Sequence, residues 1–111
     1  MSLLITTYEA LSLCRVLEPY FVKHDLHIAL GGSCLYRGTS THDIDIFIYE
    51  RYPRKDNIHI YDKVDNLFKT EKIHDVKFTW SGTGSCSGVI QKLVTFNKKE
   101  YPVDFFLCHR L

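Results

Sequence analysis

The sequence predicts an α+β fold, a mixed or antiparallel sheet of about four or five strands with helices packed on one face. Three observations predict it. Apolar residues recur at helical spacing in two segments, Ala10 to Leu17 and Ile60 to Phe68. They alternate, or form short β-branched runs, at 43–49, 76–80 and 89–96. The last apolar stretch, Tyr101 to Leu107, follows the polar turn Asn97 to Glu100 closely enough to close a hairpin.

The 111 residues read as a single domain over 1–111, with no internal repeat and no linker. A chain of this size buries roughly two thirds of its unfolded surface, so its core needs neither a disulfide nor a structural metal. The cysteines, Cys14, Cys34, Cys86 and Cys108, are widely spaced and form no Cys-x-x-Cys pair, which predicts free thiols in a reducing, cytoplasmic setting. Cys108-His109 and Cys86 match no common zinc spacing. No apolar run approaches the eighteen or so residues that cross a bilayer, so no membrane partner is expected. A formal net charge of +1 argues against duplex binding, which needs a basic excess. Arg51, Arg54 and Lys55 read as a solvated loop.

Along the chain, Thr6-Thr7-Tyr8-Glu9 fits a capping box that starts a helix. Ala10, Leu13, Cys14 and Leu17 form its apolar stripe. Pro19 predicts a kink or break, with Tyr20 to His24 as a final turn or a second short helix. His27 to Leu30 is a short strand running into a tight turn at Gly31-Gly32; Ser33 then caps a brief helix, Cys34 to Arg37, which Gly38 ends. After a polar link, Thr39 to His42, comes a strand from Asp43 to Tyr49. Its period of two puts Asp43, Asp45 and Phe47 on one face and Ile44, Ile46 and Ile48 towards the core.

A loop at Arg51 to Asn57 precedes the second amphipathic helix, which ends near Thr70. Val76, Phe78 and Trp80 then alternate with Lys77 and Thr79 as in a half-buried strand. The glycine-serine loop from Ser81 to Gly88 leads into the strand Val89 to Phe96. Tyr8, Tyr20, Tyr61 and Trp80 read as core or interface aromatics, and His42 as a loop residue.

Three acids stand out on these strands. Asp43 and Asp45 share a face in a β-branched run, and Asp104 interrupts Val103-Asp104-Phe105-Phe106-Leu107. Burying an ionised carboxylate without a partner costs several kcal/mol, and a divalent cation is a fitting partner for three. Magnesium takes oxygen ligands and is commonly held by carboxylates together with substrate phosphates. The strand, the glycine turn and the helix start beside these acids form a setting in which backbone N–H groups face an anion.

Gly31-Gly32-Ser33, then Asp43-Ile44-Asp45, then a later strand carrying Asp104, resembles the signature of the DNA polymerase β-like nucleotidyltransferase superfamily. The last third, through Val103-Asp104-Phe105-Phe106, also resembles the palm of family X DNA polymerases. The resemblance implies that Asp43 and Asp45 ligate two catalytic Mg2+ ions, with Mn2+ as a substitute, and that Asp104 holds the ion at the attacking hydroxyl. It implies that Gly31, Gly32 and Ser33 bind phosphates of an NTP, with Arg37 standing in for a triphosphate-binding arginine at a different offset. The thumb and helix-hairpin-helix modules of the polymerases find no counterpart, and the chain is nearer in compactness to the minimal nucleotidyltransferases.

The expected function is transfer of a nucleoside monophosphate from an NTP to an acceptor hydroxyl on nucleic acid, protein or a small molecule, with release of pyrophosphate. A protein partner or a homodimer would complete the substrate-gripping half. The alternative expectation is a non-catalytic nucleotide- or partner-binding module of the same fold, including one subunit of a toxin-antitoxin-like pair.

Overall fold

A computed structural model describes residues 4–40, 43–50, 60–80 and 88–108. Expectations placed on His42, Arg51, Arg54, Lys55, Cys86, His109 and most of the glycine-serine loop lie outside these residues, as do the side chains of Ser33 and Trp80. The elements are β1 (Ile5–Thr6), α1 (Thr7–Val22), β2 (Leu26–Gly31), α2 (Gly32–Tyr36), β3 (Thr39–Ser40), β4 (Ile44–Glu50), α3 (Ile60–Thr70), β5 (Val76–Trp80), β6 (Val89–Phe96) and β7 (Lys99–Leu107). The main sheet has five strands in the order β2-β4-β7-β6-β5. Its neighbours are antiparallel except β4 and β7, which run parallel, so the sheet is mixed. The fold is α+β, with α1 and α3 packed on one side of that sheet.

Helix α1 starts as its sequence requires. The Thr6 hydroxyl accepts from the Glu9 backbone N–H at 3.1 Å and the Glu9 carboxylate accepts from the Thr6 N–H at 3.2 Å, a reciprocal capping box. Pro19 does not break the helix: α1 is continuous to Val22, and of the two expected outcomes beyond the proline the final turn forms rather than a second helix. Only the last turn lies beyond the proline, and fully buried Phe21 anchors that turn to the core. The face Ala10, Leu13, Cys14 and Leu17 is buried as the spacing predicts.

Ile44, Ile46 and Ile48 are fully buried beneath the helices, as the alternation in β4 requires. Phe21 of α1, Phe68 of α3, Phe78 of β5 and Phe105 of β7 form an aromatic cluster in that layer. Phe68 meets Phe105 edge-on at 5.2 Å and Phe78 at 4.9 Å. Tyr20 and Tyr61 pack against this core, whereas Tyr8 is exposed.

Three local expectations need correction. Helix α2 begins at Gly32, so Ser33 is inside it rather than at its cap, and the glycines do not form a free turn: Gly31 is the last residue of β2. The link before β4 contains a strand, β3, paired with β1 through Ile5 and Ser40; two residues are too short to leave a period in the sequence. The turn between β6 and β7 is only Asn97-Lys98, both at positive φ, so β7 starts at Lys99. Among the described residues, no helix is long and apolar enough to cross a membrane.

Candidate metal centre

Strand pairing brings the acids together. Asp45 on β4 and Asp104 on β7 are direct register partners, on parallel strands about 4.8 Å apart. Asp43 sits one residue before β4, two residues from Asp45 and therefore on the same side of the sheet. One carboxylate oxygen from each of the three lies within 4.8 Å of the others, and all three side chains are half-buried.

Crowded carboxylates raise one another's proton affinity. Burial pushes the Asp43 carboxyl up to about 7, helped by a hydrogen bond to Asp104 and by the charges of Asp104 and Asp45. Burial and the Asp104 charge raise Asp45 as well. A cation reverses this arrangement, and three carboxylate oxygens are the donor set that hard divalent ions such as Mg2+ or Mn2+ prefer. The set is not selective among such ions.

The glycines fit against this cluster for a steric reason. A Cβ on Gly31 would collide with the Phe47 ring, and a Cβ on Gly32 would collide with Asp45 Oδ2. Gly32 also holds φ at +67°, in the left-handed region where other residues are strained. Close approach of backbone to carboxylate, more than turning, is what requires glycine here. The segment is tied down from α1, since the Thr7 hydroxyl donates to the Cys34 carbonyl and the Thr7 N–H donates to the Gly38 carbonyl at 2.8 Å. Gly38, at φ +81°, ends α2 as expected.

Of the residues singled out in the sequence, Asp43, Asp45 and Asp104 converge and Gly31 and Gly32 adjoin them. Ser33 is the second residue of α2 by its backbone. Arg37 is exposed in the turn after α2.

Two further features escape a reading of the sequence. Phe47 and Phe106 each lie two residues beyond an acid and stack on one another at 5.1 Å. Gln91 on β6 is the register partner of Asp104, and it helps line a cavity of about 300 Å³ shared with Asp43, Asp104, Lys92, Leu93, Pro102 and Val103. The signal for Gln91 is the length of the β6–β7 turn. A four-residue turn would have put Leu93 opposite Asp104 instead.

Neither a protein-family model nor a curated protein sequence matches the chain.

Proposed function

We propose that this chain is a metal-dependent nucleotidyltransferase that moves a nucleoside monophosphate from an NTP to an acceptor hydroxyl and releases pyrophosphate. One observation carries the reading: Asp43 and Asp45 from one stretch of the chain and Asp104 from a distant strand converge beside Gly32, which leaves no room for a Cβ against Asp45. The resemblance of Gly31-Gly32-Ser33, Asp43-Ile44-Asp45 and Asp104 to the polymerase β-like signature points the same way.

Asp43, Asp45 and Asp104 would hold Mg2+, or Mn2+ in its place, and the bound ion would neutralise charge building on the phosphoryl oxygens. The backbone at Gly31 and Gly32, with Ser33, admits the triphosphate close to the acids. Arg37 supplies a positive charge at the far end of α2. In the transfer, the acceptor oxygen bonds to the α-phosphorus and the bond from that phosphorus to pyrophosphate breaks. The hydroxyl proton passes to a carboxylate of the cluster and on to water. Such chemistry needs mainly positioning and charge neutralisation. Free thiols at Cys14, Cys34 and Cys108 suit a cytoplasmic enzyme.

The test is incubation with α-labelled NTPs, Mg2+ and candidate acceptors. The variant Asp43→Asn/Asp45→Asn is expected to lose at least about a hundredfold in transfer. Labelling equal to that of the unaltered protein would remove these residues from the mechanism.

A further inference from the structure

One side chain, Phe47, joins the three strands that carry the acids and the first glycine. Its register partner across β2 is Ala29, and Gly31 lies one pleat further along, opposite Asp45. The Phe47 ring leans along the strand and covers Gly31, filling the space a Cβ would take. Diagonal cross-strand neighbours of this kind are about 7–8 Å apart, within reach of an aromatic ring. Towards β7, the ring stacks on its register partner Phe106 at 5.1 Å and 24°. Phe47 is thus held between β2 and β7, one pleat, or roughly 7 Å, from the row formed by Gly31, Asp45 and Asp104.

Successive glycines therefore receive alternate side chains of β4. Phe47 fills the place of a side chain at Gly31, and Asp45 Oδ2 fills it at Gly32. A single planar peptide joins the two positions, so a tilt set by the ring at Gly31 is passed to the wall against which Asp45 rests. Gly31 is strand backbone without a positive φ, unlike Gly32, and its conformation alone would admit a side chain. What excludes one is Phe47.

Packing alone is a poor reason for a ring at this position. Phe47 is 37% exposed, whereas Ile44, Ile46 and Ile48 on the other face of β4 are fully buried, so much of the apolar area of the ring stays in water. Tyr49, the next residue on the same face, is exposed as well and stacks on His27 at 5.4 Å, two pleats from the pair Gly31 and Asp45. It serves as an internal control.

We infer that Phe47 is a positioning residue for the metal: braced by Phe106, the ring fixes the Gly31-Gly32 backbone, and that backbone fixes the Asp45 carboxylate. This rests on the metal site of the proposed function. Calorimetry with Mn2+ and the electron paramagnetic resonance spectrum of the bound ion are recorded on the full chain, at a temperature where circular dichroism shows each variant folded. Phe47→Ala and Gly31→Ala are each expected to weaken Mn2+ binding roughly tenfold and to change the fine structure of the spectrum, the first by opening a gap over Gly31 and the second by displacing the ring. In Gly31→Ala/Phe47→Ala the added methyl group enters the space the ring has left. That variant is expected to bind no more weakly than either single one, where independent effects would multiply to about a hundredfold. Phe47→Tyr and Tyr49→Ala should stay within about twofold of the unaltered protein. If Phe47→Ala does not fold, Phe47→Leu, which keeps apolar bulk without the flat ring, supplies the same comparison. Unchanged affinity in the Phe47 variants, a multiplied loss in the double variant, or an equal loss in Tyr49→Ala overturns the assignment and leaves the metal centre standing. If the unaltered protein binds no Mn2+, the metal reading falls, and the assignment with it.

Discussion

The Tyr101 hydroxyl donates to the Glu9 carboxylate at 2.6 Å, which ties β7 to the first turn of α1. The same carboxylate closes the capping box and accepts from Lys99 at 3.0 Å. One acid therefore serves a helix start and a strand distant in sequence.

That sharing predicts an acid-sensitive contribution to stability. The Tyr101 hydrogen bond, reinforced by Lys99 and the Thr6 backbone, lowers the Glu9 carboxyl from 4.5 to about 2. With the folded value below the unfolded one, the contribution is present above about 4.5 and disappears as pH falls through about 2. Glu9→Gln is expected to cost about 1 kcal/mol at pH 6, because water reaches part of the carboxylate. Urea titrations should show its deficit closing between pH 4.5 and 2.

The acid cluster has the opposite sign. Asp43 has its folded value raised to about 7, so its favourable contribution is complete below the usual carboxylate range and is lost as pH rises through 7. In EDTA at pH 8, Asp43→Asn is expected to be more stable than the unaltered protein by on the order of 1 kcal/mol. The advantage should vanish at pH 4 and shrink when Mg2+ is added. Thermal melts in those three conditions read it directly.

Gly32→Ala and Gly38→Ala separate two costs. Both glycines have positive φ, but at Gly38 a Cβ would find only Thr7 Oγ1, at 3.9 Å. Gly38→Ala should cost about 1 kcal/mol in backbone strain alone. Gly32→Ala should cost more, roughly 2–4 kcal/mol, because it also displaces the Asp45 carboxylate. Denaturant melts should rank them so, and Mg2+ binding should weaken only in Gly32→Ala.

At the β6–β7 turn, Asn97 and Lys98 have φ of 52° and 63°. A two-residue hairpin with both central residues left-handed is the type I′ geometry, in which glycine is favoured at the second position. Lys98→Gly is expected to stabilise the fold by about 0.5–1 kcal/mol, as a shift in urea midpoint at unchanged slope.

Much of this structure is legible in the residues because each long element carries its own period. The stripe of α1, the Ile44, Ile46 and Ile48 alternation, the extent of α3, and β5 and β6 follow from side-chain spacing alone. What escapes is set by distant partners. β1 and β3 are too short for a period and exist because they pair with each other. Pro19 is tolerated because Phe21 is held by the core. At the candidate site, all three acids are visible as charges in apolar runs. The place of Gln91 opposite Asp104 depends on register, which one pair of turn residues decides.

The parallel pairing of β4 with β7 also has a consequence for synthesis. Asp45 and Asp104 meet only when a strand from the middle of the chain finds the last one described. β7 is also the central strand of the sheet and supplies Phe105 to the core. A nascent chain that has not yet released β7 from the ribosome can form α1 and the β2–β4 pair, but it has neither a closed core nor a gathered set of carboxylates. The clustered acids would therefore come together abruptly, with β7, and a product lacking β7 would not have them.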